Sequence, residues 1–177
     1  AVLAGSFSGS AAQQDEAAQF FKDKQLRIVV GSSAGDGYDI NARVVARHWA
    51  GHIPGKPTII VQNQPGAGSV PSVNTIYNTA PRDGTVMGAP INGVTTAPLL
   101  IPDSVKYDVT KLIWLGSSNH DIQLTYVWHT APVSTQQDLL TKELLVGATA
   151  PGATHVDYPV VARAIFGLKF KVVSGYP

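Results

Sequence analysis

The sequence predicts an α/β fold with parallel strands, and three observations lead there. Short β-branched runs alternate with helical stretches, glycine-rich loops stand between a strand and the helix after it, and 44% of the 177 residues are hydrophobic. That is enough apolar material for a core in one large or two small domains.

Gln25 to Val30 reads as a short buried strand, followed by the turn Gly31-Ser32-Ser33-Ala34-Gly35-Asp36-Gly37 and a helix from about Tyr38 to His52. On that helix Ile40, Val44, Val45 and Trp49 are expected to form the face that packs on a sheet, with Arg43 and Arg47 on another. Thr58 to Gln62 is a second strand. It runs into a loop from Asn63 to Ser69 whose Pro65, Gly66 and Gly68 forbid regular structure. A helix over about Val70 to Asn78, the turn Pro81-Arg82-Asp83-Gly84 and a strand at Thr85 to Ala89 follow, and Asn92-Gly93 breaks the chain again.

Past Lys106-Tyr107-Asp108 the pattern restarts. Leu112 to Gly116 and Leu124 to Trp128 look like strands, and Thr135 to Thr141 like a helix. Glu143 to Thr149 is the next strand, Ala150 to Thr154 a second glycine-containing loop, and His155 to Phe166 a helix capped by Gly167. Phe170 to Val173 opens one more strand. The chain stops at Gly175-Tyr176-Pro177 without a helix to close the sheet, as expected of a chain cut short.

Composition narrows the function classes. Thirteen Lys and Arg against twelve Asp and Glu leave a net charge of +1, too little for a nucleic-acid partner. With no cysteine there are no disulfides, thiolate metal sites or cysteine nucleophiles. No apolar run approaches the roughly 20 residues of a membrane-spanning helix. Residues 1–21 begin with small, weakly apolar residues. They read as a signal-peptide remnant or a disordered leader, and are set aside from the fold.

Chemical motifs are few. His48 and His52 share the i, i+4 spacing of helical zinc ligands, but Trp49 stands where H-E-x-x-H needs Glu, so no metal site is expected. No G-x-S-x-G elbow is present, and neither a catalytic residue nor a cofactor motif emerges. Trp49, Trp114 and Trp128 are expected in the core. A glycine loop feeding a helix suits an anion, because helix N-termini carry unpaired N–H groups and roughly half a positive charge. Gly35-Asp36-Gly37 lacks both the Walker ending and the full GxGxxG spacing.

Three ordered signatures carry a family resemblance. Val30 to Asp39 with Arg43 and Ala46, then Asn63-Gln64-Pro65-Gly66-Ala67-Gly68, then Ala80-Pro81-Arg82-Asp83-Gly84-Thr85, resemble the substrate-binding receptors of the tripartite tricarboxylate transporters. The likeness runs from about Leu26 to Tyr176 and is looser after Leu112. It implies a type II periplasmic-binding-protein fold, two α/β lobes closing on a ligand, with lobe 1 at 22–105, an incomplete lobe 2 at 106–177, and the family's C-terminal return missing.

The resemblance further implies a periplasmic receptor, not an enzyme, that captures a small organic acid for membrane permease subunits. The ligand would be gripped by Ser33, Ala34, Gly35, Asp36, Gly37, Tyr38 and Asp39 of the first loop, by Thr149, Ala150, Gly152, Ala153 and Thr154 of the second, and by Asn92. Asp36 departs from the family, which usually has Gly there. A carboxylate about 5 Å from an anion costs roughly 3 kcal/mol at an effective dielectric near 20, against about 0.3 to 2 kcal/mol gained from each helix terminus. Either Asp36 points to solvent or the ligand is not a plain dicarboxylate. For Asp39 the simpler role is to complement the helix dipole, and Gly66 and Gly68 read as turn glycines. The competing readings are an α/β enzyme whose glycine loop holds a phosphate or acyl group, and a cut-down chain that binds nothing.

Overall fold

A computed structural model describes residues 8–118, 122, 124–149 and 152–176. Its elements in chain order are α1 (Ser8–Phe21), β1 (Gln25–Val30), α2 (Gly37–Trp49), β2 (Thr58–Asn63), α3 (Val70–Thr79), β3 (Val86–Ala89), the single turn α4 (Ala97–Leu100), β4 (Leu144–Ala148), α5 (Thr154–Phe166) and β5 (Phe170–Ser174). The strands form two parallel sheets, one ordered β2-β1-β3 and the other β4-β5. Parallel pairing requires a crossover between successive strands, and helices α2, α3 and α5 supply it. An α/β architecture with small parallel sheets is therefore what the chain adopts.

β1 is central, with Leu26 opposite Ile59 of β2 and Arg27 opposite Val86 of β3. Its alternation sends Ile28 and Val30 toward α2, where they meet Ala42 and Ala46. α3 lies against β3, and the Ile76 methyl sits so close to Gly88 that a Cβ there would be 2.8 Å from it. A second cluster joins Val70 and Val73 of α3 to Val94, Ala97 and Tyr107, with Leu112 at its margin. The buried Tyr107 hydroxyl donates to the Val94 carbonyl (2.8 Å). Under the second sheet, Leu144 and Phe170 pack with Val133 and Leu139.

Several expectations are corrected. α2 does not bury Ile40 and Val44, which are 54% and 48% exposed; it buries Asp39, Ala42 and Ala46, at i, i+3 and i+7. The carboxylate of Asp39, described below, fixes the rotation of the helix, and two alanines let it approach the sheet closely. Residues 112–116 and 124–128 form no strands. Ile113, Leu115, Leu124 and Tyr126 are each more than 70% exposed, and among the described residues no neighbouring strand supplies a hydrogen-bond ladder. The expected helix at 135–141 is a short 3-10 turn, Gln137–Leu140, with Asp138 accepting from the Ser134 and Thr135 amides (both 3.0 Å). Trp114 and Trp128 are largely exposed, and of the three tryptophans only Trp49 is half-buried.

The segment set aside as a leader is helical from Ser8 onward, and the end of that helix packs on the body of the protein. A Cβ on Gly55 would collide with the Ala18 carbonyl oxygen, and Lys24 lies over the Phe20 ring at 5.4 Å. Among the described residues no helix is long and apolar enough to cross a membrane.

Ser69 knits the first unit together. It is 1% exposed and holds a left-handed conformation (φ 68°) that costs a non-glycine residue energy. Its hydroxyl donates to the Gly31 carbonyl (2.9 Å) and accepts from the Ile91 amide (3.0 Å), while its carbonyl accepts from Ser72 (2.7 Å). Three chain segments meet on one buried residue, and a side chain on Gly31 would overlap it. Replacing Ser69 with Ala leaves the half-buried Ile91 amide and the buried Gly31 carbonyl without their partner, so Ser69→Ala is expected to lower unfolding free energy by about 1–3 kcal/mol in urea titrations.

Candidate functional site

The first glycine loop joins β1 to α2 at the carboxyl end of the parallel strands, where ligands bind in open α/β sheets. Gly35 has φ +85°, a conformation L side chains avoid, and this aims its N–H at the Asp39 carboxylate (2.8 Å). Asp39 is 2% exposed. The same oxygen accepts from Arg43 Nε (2.9 Å), and the other accepts from the Asn63 amide (2.9 Å). Asn63 also donates to the Ser32 carbonyl (3.0 Å) and accepts from the Arg43 guanidinium (3.0 Å). The Arg43 hydrogen bond, seconded by the Gly35 N–H, holds the Asp39 carboxyl well below the usual carboxylate range. One acid thus ties the loop, α2 and the end of β2 into a rigid corner.

Asp36 caps α2. Its Oδ1 accepts from the Tyr38 N–H (2.7 Å) and the Ser32 hydroxyl (2.9 Å), so the carboxylate is exposed yet folded back onto the helix terminus. Both expected alternatives, a side chain pointing away or a changed ligand, left out this capping role. Ser33, Ala34 and Gly37 are exposed around it and Tyr38 is half-buried.

The second loop repeats the construction. Gly152 has φ +86°, and its N–H donates to Asp157 Oδ1 (3.3 Å), the acid in the first turn of α5. Asp157 is buried at 8% exposure and also accepts from the Thr96 hydroxyl (3.4 Å). In place of Asp36, α5 has Ala153, which makes no side-chain cap. His155 Nε2 accepts from the Thr149 N–H (3.1 Å) and lies 2.8 Å from its hydroxyl. Thr154 opens the helix half-buried. Ala150 lies outside the described residues.

The two loops meet the same stretch of chain. The first is bonded to Ser69 through Gly31, and a Cβ on Gly152 would sit 3.5 Å from the Gly68 Cα. A Cβ on Gly93 would overlap the Gly152 carbonyl oxygen, so the two backbones touch there. Asn92, the exposed residue beside Gly93, stands at this junction. Ala148, Ala153 and Val156 complete it by packing with Ile91. A groove of about 410 Å³ lies elsewhere, between α5 and the 133–139 segment.

Among known proteins, the "UPF0065 protein in gbd 5'region" of Cupriavidus necator is 32% identical over 157 residues. Those residues are 89% of this chain and 40% of the relative, so the chain matches well under half of that protein's length. The chain is thus a homologue of a UPF0065 protein, a family name that matches the tripartite tricarboxylate receptors. No protein-family model matches the chain.

Four residues of this region were given no site role from sequence: Asn63 and Ser69, which belong to the second family signature, His155, one of five histidines, and Asp157. Asp157 had a legible signal, because it stands just inside a helix after a loop glycine as Asp39 does. The bonds of Asn63 to Asp39 and of Ser69 to Gly31 had none, since they span 24 and 38 residues.

The Asp39 corner should titrate. Its folded pKa is depressed, so its stabilisation is present in full above the unfolded value of about 3.9 and is lost as pH falls below that toward the folded pKa. The stability gap between wild type and Asp39→Asn, measured by urea unfolding, is expected to be widest near neutral pH and to close in acid. A gap independent of pH would mean that the charge of Asp39 contributes nothing.

Proposed function

We propose that the chain is the ligand-gripping part of a periplasmic solute receptor of the tripartite tricarboxylate type, which captures a small organic acid and delivers it to permease subunits in the membrane. The observation that supports this most is the paired construction at the strand ends. Two parallel strand-loop-helix units, each with a positive-φ glycine locked to a buried first-turn acid, converge on Gly68, Ser69 and Gly93. The relative's family name agrees with the three motifs.

In this reading the two sheets are the hearts of two lobes of a type II binding-protein fold. We draw the lobe boundary, expected at 105/106, just past Leu112, a reading supported by the packing of Tyr107 and Leu112 in the cluster with Val70 and Val73 of α3. The ligand lies between Ser33–Asp39 and Thr149–Thr154, with Asn92 at the junction. The locked acids hold the loop backbones in place, so little ordering entropy is lost on binding. A micromolar affinity needs about −8 kcal/mol. The helix terminus of α5 contributes at most about 2 kcal/mol, so buried hydrogen bonds and apolar contacts supply the rest. The arrangement gives a phosphate-transferring enzyme little to work with. Asp39 is consumed by structural bonds, and the hydroxyl–imidazole contact at the second loop, Thr149 with His155 Nε2 (2.8 Å), has no third group orienting the other ring nitrogen among the described residues.

Thermal unfolding in the presence of mono-, di- and tricarboxylates, with nucleotides as controls, tests the reading. An organic acid at a hundred times its dissociation constant is expected to add about 2.7 kcal/mol of stability. Asn92→Ala should cut that acid's affinity about tenfold without lowering the unligated midpoint, as loss of one exposed hydrogen-bonding side chain predicts. Stabilisation by nucleotides alone would replace the receptor with the enzyme reading.

A further inference from the structure

We propose that the second unit carries a binding site of its own: the groove between α5 and residues 125–139 takes an uncharged, largely apolar small molecule with one hydrogen-bonding group, such as an aromatic alcohol or amide. The inference is independent of the receptor reading, because the groove shares no lining residue with either glycine loop.

The groove encloses about 410 Å³, within the range of about 300–1,000 Å³ in which small-molecule sites fall. An apolar cavity of about 150 Å³ already admits a benzene ring. The floor is the buried core of the second sheet, since Val133, Leu139, Leu144 and Phe170 all line it. Tyr158 and Ala162 bring α5 to the groove, and Thr125 and Val127 bring the stretch after Leu124. Their neighbours Leu124, Tyr126 and Trp128 are 81%, 92% and 74% exposed, so this stretch turns alternate side chains toward the groove and away from it.

Charge complementarity selects the guest. No Asp, Glu, Lys, Arg or His lines the groove. Asp138, an acid of the neighbouring turn, is committed to the Ser134 and Thr135 amides and to Lys142 (2.7 Å). A second groove, at the C-terminal end of α5, is lined by Arg163, Lys169, Lys171 and Glu143, so the charged side chains of this part of the unit are gathered there. An ionised ligand entering the neutral groove would lose hydration without meeting a counter-charge, a cost that an uncharged one avoids. Gln136 and Tyr158 also line the groove, and their side chains make no hydrogen bond among the described residues. They offer both donor and acceptor to a guest's hydroxyl or amide, and a few such groups in an apolar site fix a ligand's orientation.

Isothermal titration calorimetry on the whole chain compares cinnamyl alcohol and cinnamamide with cinnamylamine, which shares their frame and carries an ammonium charge. Wild type is expected to bind a neutral probe at a single site and at least about tenfold more tightly than the amine. Ala162→Phe fills the groove and is expected to weaken binding by about tenfold or more. Tyr158→Phe keeps the ring of a half-exposed residue and removes its hydroxyl, so it should fold even if Ala162→Phe does not, and weaken binding by about fivefold. The proposal is overturned if the amine binds as tightly as the neutral probes, if the folded variants bind as well as wild type, or if neither neutral probe binds folded wild type. In the last case, self-association of wild type in analytical ultracentrifugation that Ala162→Phe abolishes would assign the groove to a second copy of the chain instead.

Discussion

The structure of the first unit depends on one buried carboxylate. Asp39 lies in the first turn of α2, accepts from Gly35, Arg43 and Asn63, and is nearly inaccessible to water. A buried charge is tolerated only when it is paired and hydrogen-bonded, and here all the bonds come from segments that must be in register to provide them. The helix rotation follows from that requirement. With Asp39 inward, Ala42 and Ala46 face the sheet and the larger Ile40 and Val44 are turned outward, against the preference of hydrophobic burial alone. A fixed corner at the mouth of β1 would serve the proposed receptor, because loop amides that are already held in place lose little freedom when a ligand arrives.

The second unit achieves the same end with less. Asp157 has no cation partner among the described residues, and its bonds to Gly152 and Thr96 are longer than those of Asp39. One of the two crosses to the chain segment after Asn92, so this acid joins the two units as well as shaping its own loop. Glycine serves the junction differently: Gly93 and Gly152 bring two backbones into direct contact, a distance no side chain would permit. The glycine-to-acid locks and the close contact between the units are thus contributed by different residues.

The strands of residues 25–90 and the helix α3 among them were legible because they form local, self-consistent signals, whereas the helix at Ser8–Phe21 was not. β1, β2, α3 and β3 fall within a residue or two of the expected ranges, as do β4, α5 and β5. The stretch from 112 to 128 was misread for a physical reason. Leu124 to Trp128 has the composition of a strand, but composition supplies only propensity, and a strand exists only when another pairs with it. The candidate site was half visible. Both glycine loops could be named from spacing, but Asn63 and Ser69 act across separations that no local pattern encodes.

By itself the sequence determined that the chain alternates strand, glycine loop and helix, and that its acidic and basic residues nearly balance at a net charge of +1. These depend on periodicity, turn chemistry and counting, which are local or global sums. Only the tertiary structure decided which face of α2 is buried, that Asp36 bends back to cap its helix, and that the two loops share Gly68 and Ser69 as neighbours. Those outcomes turn on contacts between residues far apart in the chain, where one hydrogen bond to a buried charge outweighs the helical hydrophobic pattern that a local reading follows.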